Sequence, residues 1–241
     1  MTAPQIIVPD VGLLNRTLEA QRARLERGKL YRNAATVCLI PTRGMIHARV
    51  IQSWFALMAP MNHPFLRLFL TGMEVGAAYT QGVDFVLAHP DLSTWPYLLT
   101  LEEDNMPPPD GLLKLIEAID GGVDGTKYDA VGGLYWTKGE GGQAMIYGDP
   151  LDLPLNFRPQ PPKLETIQPA NGLGMGFTLF RLSMFKDKQL DRPWFQPAQG
   201  LGGPDTQDLH FFERVGRLGY KFACDTRCRV GHFDASTDTV W

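Results

Sequence analysis

Three short, mainly apolar runs in the first half of the chain, Ala35 to Ile40, Phe65 to Leu70 and Tyr97 to Leu101, each stop at polar or turn-forming residues. A helix-length stretch follows each of them. The first run reads as a buried parallel strand, and the other two as strands. Parallel strands cannot be joined by a hairpin and need a crossover, usually helical. The stretches 45–57 and 74–87 fit that need, as does a third that Pro107 to Asp110 opens, with Leu112, Leu113, Leu115 and Ile116 at its core face. The fold class expected is α/β, a central, mostly parallel mixed sheet flanked by helices.

The second half reads differently. Tyr128 to Trp136, Gln143 to Tyr147 and Phe177 to Phe180 are expected strands, and the Pro-rich stretch 148–168 is expected to cross the surface as a loop. Gly200 to Gly203 precede a helix expected over 205–218. Short strands at 220–223 and 227–230 lead into Gly231-His232-Phe233-Asp234. With no internal repeat and no linker, all 241 residues are expected to form a single domain. A basic helix over 10–29, carrying Arg16, Arg22, Arg24 and Arg27 and running on to Arg32, is a solvated face or a patch for a polyanion. It is set apart as an extension over 10–32.

Composition closes off several classes. A net charge of −3 argues against a broad nucleic-acid footprint. No apolar run approaches the ~18–20 residues of a spanning helix, and the first residues lack the plan of a secretory signal. Three cysteines, Cys38, Cys224 and Cys228, do not pair into a disulfide framework or a zinc site, and the expected location is cytoplasmic. Nucleotide P-loop, nucleophile-elbow and zinc-protease motifs are all missing from the sequence.

Ligands of open α/β sheets gather at the carboxyl ends of the strands. Two segments stand there: Pro41-Thr42-Arg43-Gly44 after the first strand and Glu102-Glu103-Asp104-Asn105 after the third. Adjacent carboxylates repel, and a divalent cation relieves the repulsion; hard oxygen donors suit Mg2+ or Mn2+ shared with a phosphate. The other reading is a polar turn ahead of a helix N-terminus. Asn171 to Gly176 is Gly-rich but leads into a strand, so it is no dinucleotide fingerprint; its glycines suit close approach of a ligand to the backbone. Asp205 and Asp208 either cap a helix start or, in the case of Asp208, supply a general base kept ionised by the helix end. His47, His63, His89 and His210 read as packing or surface residues.

Taken together, Val37 to Gly44, Leu101 to Pro108, Asn171 to Phe180 and Gln207 through Tyr220 and Asp225-Thr226 to His232 resemble nucleotide-sugar glycosyltransferases of the GT-A fold, most like family 2. The resemblance covers about residues 35–234. It implies transfer, with inversion, of a sugar from a UDP- or GDP-sugar to a hydroxyl. Asp208 would be the base, and Pro41, Thr42, Arg43, Glu103 and Asp104 would bind the nucleotide. Asp104, Asn105 and His232 would hold Mn2+ or Mg2+, and Gly174, Met175, Gly176 and Trp136 would face the acceptor. Small enzymes of this type occur in bacteria and bacteriophages, some modifying DNA, so the acceptor is a glycan or a hydroxymethylated DNA base. Tyr135, Trp136, Tyr147, Trp194 and Phe195 could stack on it or pack the core. Two departures stand out: Glu103-Asp104-Asn105 replaces three aspartates, and Gln207 replaces the glutamate before Asp208. They favour one alternative, a catalytically inactive nucleotide- or glycan-binding module; the other alternative is a nucleotidyltransferase, also an α/β fold with acidic metal ligands.

Overall fold

The computed structural model describes residues 33–61, 63–196 and 206–241; the expected basic helix, Gly200 to Gly203 and Asp205 lie outside them. Strand β1 (Thr36–Thr42) is buried along its whole length, as its continuous apolar run requires. Its alternate residues serve two cores. Val37 and Leu39 face one side with Tyr79, Val83, Phe211 and Phe212. Cys38 and Ile40 face the other with Trp54, Leu112, Leu115 and Ile116. Helices α2 (Val75–Ala88) and α4 (Gln207–Arg217) therefore cover one face of the sheet, and α1 (Ala48–Ala56) and α3 (Gly111–Ile119) cover the other.

The remaining strands of the central sheet are β2 (Phe65–Thr71), β3 (Tyr97–Leu101), β5 (Ala130–Leu134), β7 (Ile167–Ala170), β9 (Phe177–Arg181) and β10 (Phe222–Arg229). Their order is β2-β1-β3-β9-β5-β10-β7. β1 runs parallel to β2 and β3, β9 runs antiparallel to β3 and β5, and β10 runs parallel to β5 and antiparallel to β7. Five of the seven thus share one direction, the mostly parallel mixed sheet that the sequence predicts. Two small sheets adjoin it. β4 (Asn105–Met106), β11 (Gly231–Asp234) and β12 (Thr239–Val240) form one, and β6 (Ile146–Tyr147) pairs with β8 (Gly172–Leu173) in the other.

Four local readings need correction. The helix expected from Met45 begins at Ala48, because His47 takes the cap position and its Nδ1 accepts the Arg49 N–H at 3.3 Å. Residues 167–170, partly assigned to a surface loop, are an edge strand that tolerates Pro169 because its outer side has no partner among the described strands. The two short strands expected at 220–223 and 227–230 are one strand with an irregular register between Asp225 and Arg229. Asp225 is fully buried, and its carboxylate takes Arg227 Nε at 2.8 Å and Nη2 at 2.6 Å, so charged residues sit inside the strand. Finally, α4 starts at Gln207 behind a cap at Thr206, not at Asp205.

Because β1, β3 and β5 run the same way, the loops leaving Thr42, Leu101 and Leu134 emerge on one edge of the sheet. That edge carries the candidate site.

Candidate functional site

At the end of β3 the chain turns at once: the Asn105 N–H returns to the Glu102 carbonyl at 3.1 Å, and Glu102 N–H is held by Gly176 O at 3.1 Å. The turn lets β4 lie against β11. His232 pairs with Asn105 in this antiparallel ladder, and Phe233 N–H donates to Asp104 O at 2.8 Å. The result is that the His232 Nε2 stands 3.5 Å from Asp104 Oδ2. The other ring nitrogen, Nδ1, lies 2.7 Å from the Trp136 carbonyl, an acceptor only. Nδ1 must carry the proton to bond it, which leaves Nε2 as the ring nitrogen that faces Asp104, a donor to the carboxylate when it carries a proton and a lone pair for a cation when it does not.

Glu103 points the other way. Its carboxylate accepts from Thr42 Oγ1 at 2.7 Å, Arg43 N–H at 2.8 Å and Arg43 Nε at 2.6 Å. Burial alone would raise its pKa, but these donors hold it below the ordinary carboxylate value. The contacts lock the strand-end loop onto the acidic turn. A cavity of about 440 Å³ results, lined by Pro41, Thr42, Arg43, Glu103 and Asp104 and completed by Met73, Glu74, Val75 and Glu102. All five residues assigned to the nucleotide from sequence therefore border one space.

Three carboxyl groups share this region with opposite behaviour. Asp104 is pulled down to about 2: burial would raise it, but hydrogen bonds and charge from His232 and Lys138 outweigh that. Lys138 Nζ lies 2.5 Å from Asp104 Oδ2. Glu102 is pushed up to about 7, first by burial and then by the charges of Asp104 and Asp208. Asp208, at the second position of α4, is buried and also raised by burial, although Thr206 and the Leu209 N–H oppose the shift. The helix end does not lower its basicity as the sequence suggests; loss of water outweighs the dipole. Lys138 is the site residue that sequence reasoning missed; Glu102 and Tyr135 stood in named segments without a role of their own. Glu102 was legible as the first carboxylate of the acidic run.

The glycines of 174–176 admit protein groups. A side chain at Gly176 would press within 2.5 Å of Asn105 Oδ1, and one at Gly174 within 2.1 Å of the Tyr135 hydroxyl. That hydroxyl accepts the Gly176 N–H at 2.9 Å, and Tyr79 donates to the Met175 carbonyl at 3.4 Å. Met175 is buried and Trp136 half-buried. Trp194 and Phe195 belong to an aromatic core with Phe185 and Phe211, with Phe195 and Phe211 centroids 4.5 Å apart, so they pack the core. His47 stacks on Phe233 at 4.4 Å, and His63, His89 and His210 each bond backbone groups, the structural roles expected of them.

Asp104 and His232 suit a divalent cation in chemistry and spacing, since cis ligands ~2.1 Å from one ion lie ~3 Å apart. The Asn105 amide is fully buried, packs against Gly176, and has no hydrogen-bond partner for either terminal atom among the described residues. Among the described residues no three His, Cys, Asp or Glu side chains group around one point, so further ligands would come from water or substrate. Cys38, Cys224 and Cys228 are free and buried. Among the described residues no helix is long and apolar enough to cross a membrane.

No family model matches the sequence, and a search of curated proteins gives no match. Solved structures do overlay. The crystal structure of A197 from STIV matches with a TM-score of 0.58 at 18% identity, covering 86% of this chain and 92% of that one. The crystal structure of GalNAc-T7 with UDP, GalNAc and Mn2+ matches with a TM-score of 0.56 at 10% identity, covering 95% of this chain. The overlay takes in 53% of the GalNAc-T7 chain, so this protein spans about half its length. At such identities the likeness is one of architecture: this chain has a GT-A-like α/β fold.

Proposed function

We propose that this chain is a glycosyltransferase that moves a sugar from a UDP- or GDP-sugar to a hydroxyl acceptor, a glycan or a hydroxymethylated DNA base, as a single catalytic domain in the cytoplasm. The observation that carries the reading is the meeting of Asp104 with His232, two residues far apart in sequence, beside a cavity walled by Thr42, Arg43 and Glu103. GalNAc-T7, which shares the architecture, was crystallised with UDP and Mn2+.

In this reading Thr42 and Arg43, braced by Glu103, bind the nucleotide. Asp104 and His232, with Asn105 behind them, would hold Mn2+ or Mg2+, which when bound neutralises the charge that grows on the departing diphosphate. Asp208 takes the proton of the acceptor hydroxyl. The acceptor oxygen forms its bond to the anomeric carbon as the bond from that carbon to the diphosphate breaks, a single displacement that inverts the centre. Burial makes Asp208 a stronger base than a solvated aspartate, which suits the task. Gly174 to Gly176 and Trp136 form the acceptor side.

The test is thermal stabilisation by UDP and GDP with and without Mn2+, followed by product analysis with donor sugars and candidate acceptors. Metal-enhanced stabilisation by one nucleotide and transfer of its sugar are the expected results. Equal melting with and without metal for every nucleotide would sink the reading.

A further inference from the structure

Lys138 reaches the acidic turn from the hairpin that follows β5. Trp136 bridges Ala144, Thr137 N–H donates to Gln143 O at 2.9 Å, and Gln143 N–H donates to Thr137 Oγ1 at 2.9 Å. The reversal is made by Gly139 and Gly141, both in the left-handed region at φ +97° and +74°. The same hairpin supplies the Trp136 carbonyl that fixes the His232 ring. Its register therefore sets the imidazole and the ammonium together. Both meet Asp104 at one atom: Oδ2 is 2.5 Å from Lys138 Nζ and 3.5 Å from His232 Nε2. The lysine side chain is about one-third exposed, at 32%, so it can leave toward solvent.

We propose that Lys138 is a built-in cation that competes with the divalent ion for Asp104. With no metal, the ammonium neutralises Asp104; for an ion to bind between Asp104 and His232, Lys138 must give up Oδ2. The displaced ammonium remains beside the cavity and pairs with the anionic oxygens of a diphosphate, a second step that rests on the glycosyl-transfer reading. The physical basis is charge count. A divalent ion and an ammonium on the same carboxylate oxygen repel each other, whereas a diphosphate carries enough negative charge for both. Lys138 thereby ties tight metal binding to the presence of the nucleotide.

The experiment measures Mn2+ binding to nucleotide-free protein by electron paramagnetic resonance of the free ion, for wild type, Lys138→Met and Lys138→Arg. Lys138→Met keeps the length of the side chain and removes its charge. It is expected to bind Mn2+ about fivefold more tightly than wild type, the scale of one partly exposed ion pair, with Lys138→Arg close to wild type. At saturating Mn2+, UDP or GDP should bind Lys138→Met more weakly than wild type. Mn2+ affinity that is unchanged, weakened or undetectable in Lys138→Met overturns the proposal. Tightened Mn2+ binding with no nucleotide binding in any form leaves the competition standing and removes the glycosyltransferase reading. Nucleotide binding without tightening of Mn2+ does the reverse.

Discussion

His232 faces Asn105 across the short antiparallel ladder of β11 and β4, and this pairing closes the candidate site. Opposed residues on such a ladder project to the same face. The ladder thus carries the His232 imidazole to the acidic turn, where Asp104 precedes Asn105. The backbone on both sides is pinned: Trp54 Nε1 donates to Asn105 O at 2.9 Å, and His232 exchanges N–H and C=O bonds of 3.0 Å with Trp241.

If His232 is a metal ligand, His232→Ala should remove most of the metal-dependent part of nucleotide affinity. A loss of at least tenfold in UDP or GDP affinity with Mn2+ is expected in calorimetry. The metal-free fold should lose only about 1 kcal/mol, from the Trp136 carbonyl left without its donor. An unaltered metal requirement would remove His232 from the ligand set.

Asp208→Asn separates catalysis from stability. Burial raises the pKa of Asp208, so its ionised form is the disfavoured one in the fold. The sign follows: its contribution to stability is complete at pH values below the unfolded value and declines as pH rises through the folded one. At neutral pH the neutral amide should therefore melt higher than wild type, while turnover falls by ~10²–10⁴-fold and nucleotide affinity holds. A variant that melts lower and transfers sugar normally would reject both statements.

Much of this was legible in sequence because the first half obeys one local rule: β3 occupies Tyr97 to Leu101, the residues predicted. Short apolar length between turn signals marks β1 and β3, which are buried throughout, whereas β2, at the sheet edge, is only partly buried. The rule fails where tertiary partners supply what local sequence lacks. Asp225 and Arg227 look like a break between two strands until their ion pair is seen inside β10, and Ile167 and Gln168 look like the end of a loop until β7 is seen to be an edge. Lys138 sits in a Lys-Gly-Glu-Gly-Gly turn whose composition announces only a reversal. What directs its ammonium to Asp104 is the sheet order, which places β5 two strands from β3. Asp104 and His232 were assigned to one ion from the resemblance alone, and no local signal carried their proximity.

Gly176→Ala tests whether the Gly-rich entry to β9 is shaped by the protein itself. The new methyl would lie 2.5 Å from Asn105 Oδ1 and 2.8 Å from its Cγ and Nδ2, with the amide fully buried and unable to retreat to solvent. Overpacking of this kind costs ~1–3 kcal/mol, to be read as a lower denaturant midpoint at unchanged slope. Shortening the neighbour in the double variant Gly176→Ala, Asn105→Ser should recover part of the loss. No recovery would mean that the strain lies in the backbone.

Glu102 offers the clearest pH signature. Its ordinary value is 4.5 and the fold moves it to about 7, by burial first and then by the negative charges of Asp104 and Asp208. A raised carboxyl favours the folded state while it is protonated; that advantage is complete below about 4.5 and disappears as pH climbs through about 7. Above that point the ionised group works against the fold. Glu102→Gln should therefore match wild type near pH 4 and melt higher at pH 8, with each kcal/mol of relief worth roughly 2–4 °C in a chain of this size. Mn2+ should narrow the gap, because a cation at Asp104 favours the ionised Glu102 of the wild type and has no counterpart in the amide. Parallel melting curves for the two proteins across this range would mean that Glu102 stays ionised and that Asp104 and Asp208 are too distant to press on it.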